Sequence, residues 1–165
     1  MPPLPPPPHP WPIPKFKLTI EDLDHEGVDI FLTAVEPKVA LREAVIASFK
    51  WLYTPETVPT QLVFNHLIIN HILITEVTIY DYIYISVEQI SLVLRPMEGV
   101  AYTFGTDKHK EIHFSLDYIK NSAVKCARDE IMGVLVHEVV HCYQYDACAT
   151  CPGGLIEGIA GASMS

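Results

Sequence analysis

The sequence predicts an α+β domain in which a small mixed sheet packs on helices. Three observations support this: short runs in which apolar and polar residues alternate, a helix of about four turns that Pro37 opens, and a longer apolar-striped helix around residues 127–145. A chain of 165 residues with 49% hydrophobic and 19% charged residues is long enough for one domain with a sizeable core.

Residues 1–14 are rich in proline and hold nine of the 14 prolines of the chain. Repeated proline fixes φ and removes backbone donors, so an extended polyproline II arm is expected. Composition favours a solvated tail over a ligand for an SH3- or WW-type groove, and Trp11 would allow the arm to fold back onto the domain. The arm has neither the charged n-region nor the apolar h-region of a secretory signal, which favours a cytosolic product or another route of export.

The domain proper is expected to span residues 15–165 and to begin with a half-buried strand at Phe16–Ile20. The acidic segment 21–27 is interpreted as a solvated turn, because it lacks the spacing of a calcium loop. Thr54-Pro55 ends the helix that begins at Pro37, and one face of this helix carries Leu41, Ala44, Val45, Ser48, Phe49 and Leu52. Turn signals separate three further strand candidates, Ile90–Leu94, Val100–Phe104 and Glu111–Phe114.

Residues 61–89 differ from the rest of the chain, because they are dense in Ile, Leu, Val, Tyr, Asn and His. Polar residues interrupt the segment too often for a membrane span, so it is interpreted as an atypical insertion, either an added hairpin or an aggregation-prone stretch. His66 and His71 are five residues apart, which puts them on different faces of a helix or a strand. We therefore do not expect them to share a metal ion.

The charge balance excludes some partners. Eleven Lys and Arg against 20 Asp and Glu give a formal net charge of -9, which argues against nucleic acid and anionic membranes as partners. Four cysteines, Cys126, Cys142, Cys148 and Cys151, are too few for a disulfide scaffold in a chain of this length.

The clearest chemical motif lies on the predicted helix 127–145. Its apolar residues recur at helical spacing and define one buried stripe, formed by Ile131, Val134, Leu135, Val139 and Cys142. His137 and His141 lie one turn apart on one face, so both imidazoles can reach a single ion. Glu138 is offset by about 100° and can act on a water molecule without binding the metal. This is the HExxH arrangement of two zinc ligands and a general base.

A third zinc ligand has several candidates. The extended pattern HExxHxxGxxH is absent, since Gln144 and Ala147 stand where Gly and the third His are needed. Asp146 would require the helix to break sharply, and the single CxxC pair of Cys148 and Cys151 lacks a second pair. Glu157 follows a Gly-rich turn that a second helix could continue, so this carboxylate is ranked first.

Two stretches of the chain, residues 133–144 and 151–160, closely resemble the plant and fungal basic secretory protein family. The likeness covers residues 15–60 and 91–160, including the segments 92–102 and 111–117. This resemblance implies a zincin-like fold and a peptidase that acts on peptide or protein substrates. It also implies that His137, His141 and Glu157 bind Zn2+ and that Glu138 is the catalytic base.

Departures from the family leave a second interpretation open. This chain is acidic, it has Gly161 where the family pattern has Asp, and the subdomain beyond residue 165 that would form the far wall of the cleft is expected to be missing. Residues 61–89 have no counterpart in the family, and their composition is that of translated AT-rich non-coding sequence, as a retained intron would give. The alternative is therefore a truncated or degenerate member with weak or no catalysis, which acts at most through its Pro-rich arm.

The sequence predicts less about substrate contacts than about metal ligands. A strand such as Glu111–Phe114 is a candidate for pairing with substrate backbone at the sheet edge. Tyr143 and Tyr145 are weak candidates for substrate binding through stabilisation of the oxyanion.

Overall fold

The computed structural model describes residues 11–54, 87–122, 124–144 and 150–163. Four strands and five α-helices lie in these ranges, together with a 3-10 turn at Val124–Cys126. In chain order the elements are β1 (Lys15–Ile20), α1 (Glu26–Ala34), α2 (Pro37–Leu52), β2 (Gln89–Arg95), β3 (Ala101–Gly105), β4 (His109–Ser115), α3 (Leu116–Asn121), α4 (Ala127–Tyr143) and α5 (Gly153–Ala162). The predicted α+β class is confirmed.

The four strands form one mixed sheet in the order β1-β2-β4-β3. Strands β1, β2 and β4 run parallel, and β3 pairs with β4 in the antiparallel sense. The prediction that Glu111–Phe114 offers a free edge is wrong, because β4 pairs with β2 on one side and β3 on the other. The edge strands of the described sheet are β1 and β3.

Helices α2 and α4 form the other main layer and pack against each other. Glu36 caps α2, since its carboxylate accepts hydrogen bonds from the backbone N–H groups of Lys38 and Val39. Every residue of the predicted apolar stripe of α4 is buried, as the helical periodicity indicates. The core lies between these helices and the sheet, where its largest fully buried side chains include Phe31, Phe49, Phe114, Leu41, Leu92 and Leu135.

Helix α1 was not predicted. Residues 21–25 form a turn as expected, but Glu26 begins a helix that buries Val28 and Phe31. His25 caps this helix, because its Nδ1 accepts a hydrogen bond from the backbone N–H of Gly27 at 3.0 Å. Acidic residues in a first turn are favourable at the positive end of the helix dipole, so the same carboxylates suit a helix start as well as a solvated turn.

The Pro-rich arm and the segment 61–89 each have one end that packs on the domain. Trp11 is buried and stacks on Phe49 with 5.7 Å between ring centroids, so the end of the Pro-rich arm folds back onto the core. Residues 1–10 and most of the segment 61–89 lie outside the described residues. The last residues of the segment 61–89 belong to the domain, since Val87 is buried and Gln89 begins β2.

No helix in the described ranges is both long and apolar enough to cross a membrane.

Substituting Gly27 tests the close approach of α1 to α3. A Cβ at this position would collide with the carbonyl oxygen of Leu116, so we expect Gly27→Ala to destabilise the fold by about 1–3 kcal/mol in urea unfolding. Gly161→Ala is the matched control on a helix, because an added Cβ there meets nothing within 4 Å. Unchanged stability of Gly27→Ala would contradict the packing of these two helices.

Candidate metal centre

Helix α4 presents His137 and His141 on one face, one turn apart, as the spacing predicts. Their Nε2 atoms lie 3.1 Å apart, and the ring centroids are separated by 4.7 Å with the planes at 80°. Both residues are half-buried, at the border between the packed stripe and the surface. The packing of α4 therefore fixes the two imidazoles while leaving them accessible.

Glu157 on α5 completes the group. Its Oε2 lies 3.3 Å from Nε2 of His137 and 3.6 Å from Nε2 of His141. The helix begins just after Pro152, and its buried Ala160 fixes the far end against the domain. The Gly-rich turn and second helix thus bring Glu157 to the histidines, as the sequence predicts.

Two imidazole nitrogens and one carboxylate oxygen form a group that could hold a metal ion. Atoms bound at about 2.0–2.1 Å from a tetrahedral zinc ion lie about 3.3 Å from one another. The observed separations of 3.1, 3.3 and 3.6 Å match this spacing. The three ligand atoms are therefore spaced as a tetrahedral ion of this size requires.

The cysteines of the described residues are not part of this group. Cys142 is on the buried side of α4, and burial raises the pKa of its thiol to about 12. A thiol of this kind stays protonated at neutral pH, and the thiolate is the form that binds metal. Cys151 is free and half-exposed, whereas Cys148 and Asp146 lie outside the described residues.

The electrostatics of the group favour a neutral imidazole at His141. Burial lowers the pKa of His141, although the nearby Glu157 carboxylate opposes this shift. Only a deprotonated ring nitrogen can bind a metal ion, so the direction of this shift favours metal binding.

Gln144 contacts His141 on the side away from Glu157. The side-chain amide nitrogen of Gln144 lies 3.2 Å from Nδ1 of His141, and the amide oxygen is buried without a partner among the described residues. The same amide nitrogen donates a hydrogen bond to the backbone oxygen of Ile156 at 3.4 Å. Gln144 therefore links the second histidine of α4 to the helix that carries Glu157.

Glu138 lies beside the group but points to the sheet. Its side chain is 5% exposed, and its Oε2 accepts a hydrogen bond from the hydroxyl of Thr103 at 2.7 Å. The same hydroxyl lies 3.0 Å from the backbone oxygen of Glu138. Burial raises the pKa of Glu138, and the Thr103 hydrogen bond and the charge of His137 partly oppose this effect.

Thr103 was missed by sequence reasoning, and so was the role of Gln144. Thr103 stands in a predicted strand, but no local pattern says which helix that face of the strand meets. Gln144 was noticed only as a mismatch to a longer zinc motif. A polar residue on the inward face of a strand that otherwise carries apolar side chains is the signal that could have identified Thr103.

Of the two tyrosines proposed for substrate binding, Tyr143 is packed in the core and not at the group. Tyr143 is 2% exposed and packs against Phe49 with 4.5 Å between ring centroids. Burial raises the pKa of its phenol, and its hydroxyl has no partner among the described residues. Tyr145 lies outside the described residues.

The fold and the site define an α+β domain with a His-His-Glu group, capable of holding a metal ion, between a core helix and a short second helix. The chain belongs to the family described as peptidase of plants and bacteria, whose model matches residues 13–163. This match confirms the family resemblance found in the sequence. Comparisons with curated proteins and with solved structures gave no match.

The raised pKa of Glu138 predicts how stability depends on pH in the metal-free chain. Between the ordinary glutamate pKa and the raised value, the unfolded chain ionises while the folded chain resists ionisation, so Glu138 lowers stability as pH rises. We expect Glu138→Gln to be more stable than the parent at about pH 8 in EDTA, with the difference shrinking towards about pH 5. The measurement is urea unfolding across this pH range.

Glu98→Gln is the control for this experiment, because it removes an exposed carboxylate of the same type. It should leave stability nearly unchanged at both pH values. A pH-independent gain in Glu138→Gln, or an equal gain in Glu98→Gln, would contradict the account of the buried carboxylate.

Proposed function

We propose that the chain is a zinc-dependent metallopeptidase of the zincin type, which hydrolyses peptide bonds at the His137–His141–Glu157 group. The observation that carries this proposal is the spacing of the three ligand atoms, which matches a tetrahedral ion. The family description as a peptidase supplies the reaction class. Imidazole and carboxylate ligands on a helix that also carries a glutamate are typical of zinc hydrolases.

Zinc, when bound, supplies a Lewis acid that polarises the scissile carbonyl. The chain supplies the proton transfers: Glu138 takes a proton from the attacking water at its carboxylate and gives it to the leaving amine. Burial raises the pKa of this carboxyl and so makes it a stronger base. The hydroxyl of Thr103 donates a hydrogen bond to Oε2 and so orients this carboxylate.

We propose that substrate backbone pairs with β3 rather than with Glu111–Phe114. Strand β3 is the edge strand that contacts α4, and Thr103 on this strand hydrogen-bonds to Glu138. An extended peptide added to this edge would run past the proposed base.

The second candidate function is a site with weak or no catalytic activity, and the exposure of Glu157 on a short helix favours it. The side chain of Glu157 is 65% exposed, and α5 has only ten residues. Four glycines lie in α5, and a Cβ added at any of them would meet no atom within 4 Å. Glycine lowers helix stability by about 1 kcal/mol relative to alanine, so α5 holds the third ligand loosely. A ligand misplaced by about 1 Å can cost ~10²-fold in rate.

Zinc content is the first test of the proposal. We expect the full-length chain to bind about one zinc ion after dialysis, and the His137→Ala and His141→Ala pair to abolish this binding, because two of three ligands are lost. The measurement is elemental analysis by plasma mass spectrometry, with the exposed His109→Ala as the control. A full equivalent of zinc in the double variant would contradict the site and point to Cys148 and Cys151.

Casein hydrolysis tests the catalytic role and the loose third ligand together. We expect slow cleavage by the unmodified chain and none by Glu138→Gln with zinc still bound, since the base is lost and the ligands are kept. Gly158→Ala with Gly161→Ala should stabilise α5 and raise zinc affinity about fivefold or more. Efficient cleavage by the unmodified chain would refute the weak site, and cleavage that survives Glu138→Gln would refute the proposed base.

A further inference from the structure

A groove runs along the outer edge of β1, at the edge of the sheet opposite β3 and the His-His-Glu group. Residues 13–18 form one wall, and residues 36–42 at the start of α2 form the other. The groove has a volume of about 710 Å³. It is therefore a second concave surface that the peptidase proposal does not use.

The backbone of β1 leaves hydrogen-bonding groups unpaired along this groove. The N–H groups of Lys15 and Glu21 point to the β2 side, where they donate to Glu88 at 2.9 Å and to Leu94 at 3.0 Å. Because backbone groups alternate in direction along a strand, those of Phe16 and Leu18 point away from β2. Within the described ranges no strand pairs with this edge, so it can accept an added strand.

The groove is basic although the chain is acidic. Lys17, Lys38 and Arg42 are exposed and form no ion pair with a described residue. Glu36 is the acidic residue of the lining, and its carboxylate is engaged in capping α2. In a chain of formal net charge -9, such a cluster of cations makes a local site that attracts negative charge.

The groove also offers apolar surface between these charges. Leu41 is buried at its base, Phe16 is half-buried, and Leu18 is 37% exposed. An extended segment that adds to β1 would alternate its side chains between the two faces of the sheet, towards α2 and away from it. Apolar and acidic residues in alternation therefore suit this surface better than a run of either kind.

We propose that this groove docks an extended acidic segment of a partner polypeptide, which adds to β1 as a fifth strand. The backbone edge supplies the hydrogen bonds, and Lys17, Lys38 and Arg42 select for carboxylates. The interaction is independent of the proposed peptidase activity, because it uses the opposite edge of the sheet. Its length is set by β1, which has six residues.

The test uses the full-length chain and a fluorescein-labelled peptide of alternating glutamate and valine that matches the length of β1. Fluorescence anisotropy measures binding, and mass spectrometry checks that the probe stays intact. We expect the Lys17→Glu and Arg42→Glu pair to weaken binding about tenfold or more, because two attractive charges become repulsive. Lys125→Glu, at an exposed site outside the groove, is the matched control for each single reversal, because it changes the net charge by the same amount.

Two further probes distinguish addition of a strand to β1 from non-specific attraction between opposite charges. Proline in place of each valine keeps the charge but removes backbone donors, so it should abolish binding. Single-stranded DNA of equal charge should bind more weakly than the peptide. The proposal is overturned if the acidic peptide does not bind, if Lys125→Glu weakens it as much as the groove variants do, or if the proline probe or the DNA binds equally well. If the double variant does not fold, each single reversal is measured against the same control.

Discussion

The packing of α4 against α2 and β3 is the interaction on which the site depends. The hydroxyl of Ser48 on α2 donates to the Ala44 oxygen and lies 3.4 Å from the backbone oxygen of Val136, just before the first histidine. On the other side, Thr103 contacts both the side chain and the backbone of Glu138. The core thus fixes the turn of α4 that carries His137 and Glu138, and the imidazole of His141 follows one turn later.

The third side chain of the group is held differently. Glu157 comes from a short glycine-rich helix whose one buried residue among those described is Ala160. Its carboxylate reaches both histidines, but most of its surface stays exposed to solvent. The site therefore joins two side chains on a helix packed in the core to a third on a short helix with little buried surface. This contrast is the basis of the weak site proposed as the second candidate.

Features that depend on residues close together in the sequence could be predicted, whereas contacts between residues far apart in the sequence could not. The buried stripe of α4 and the pairing of His137 with His141 follow from helical periodicity within a few residues. Glu157 could be ranked first because a Gly-rich turn allows the chain to reverse. The central place of β4 could not be read, since parallel pairing joins strands that are far apart in sequence. The contact of Thr103 with Glu138 could not be predicted for the same reason, because the two residues are 35 positions apart.

X-ray absorption at the zinc edge of the zinc-loaded chain tests the central claim most directly, since it reports the atoms that bind the metal. A site made by His137, His141 and Glu157 predicts nitrogen and oxygen ligands alone at about 2.0–2.1 Å, with the outer-shell scattering of two imidazole rings. Sulfur at about 2.3 Å would contradict it, because that distance belongs to cysteine thiolate.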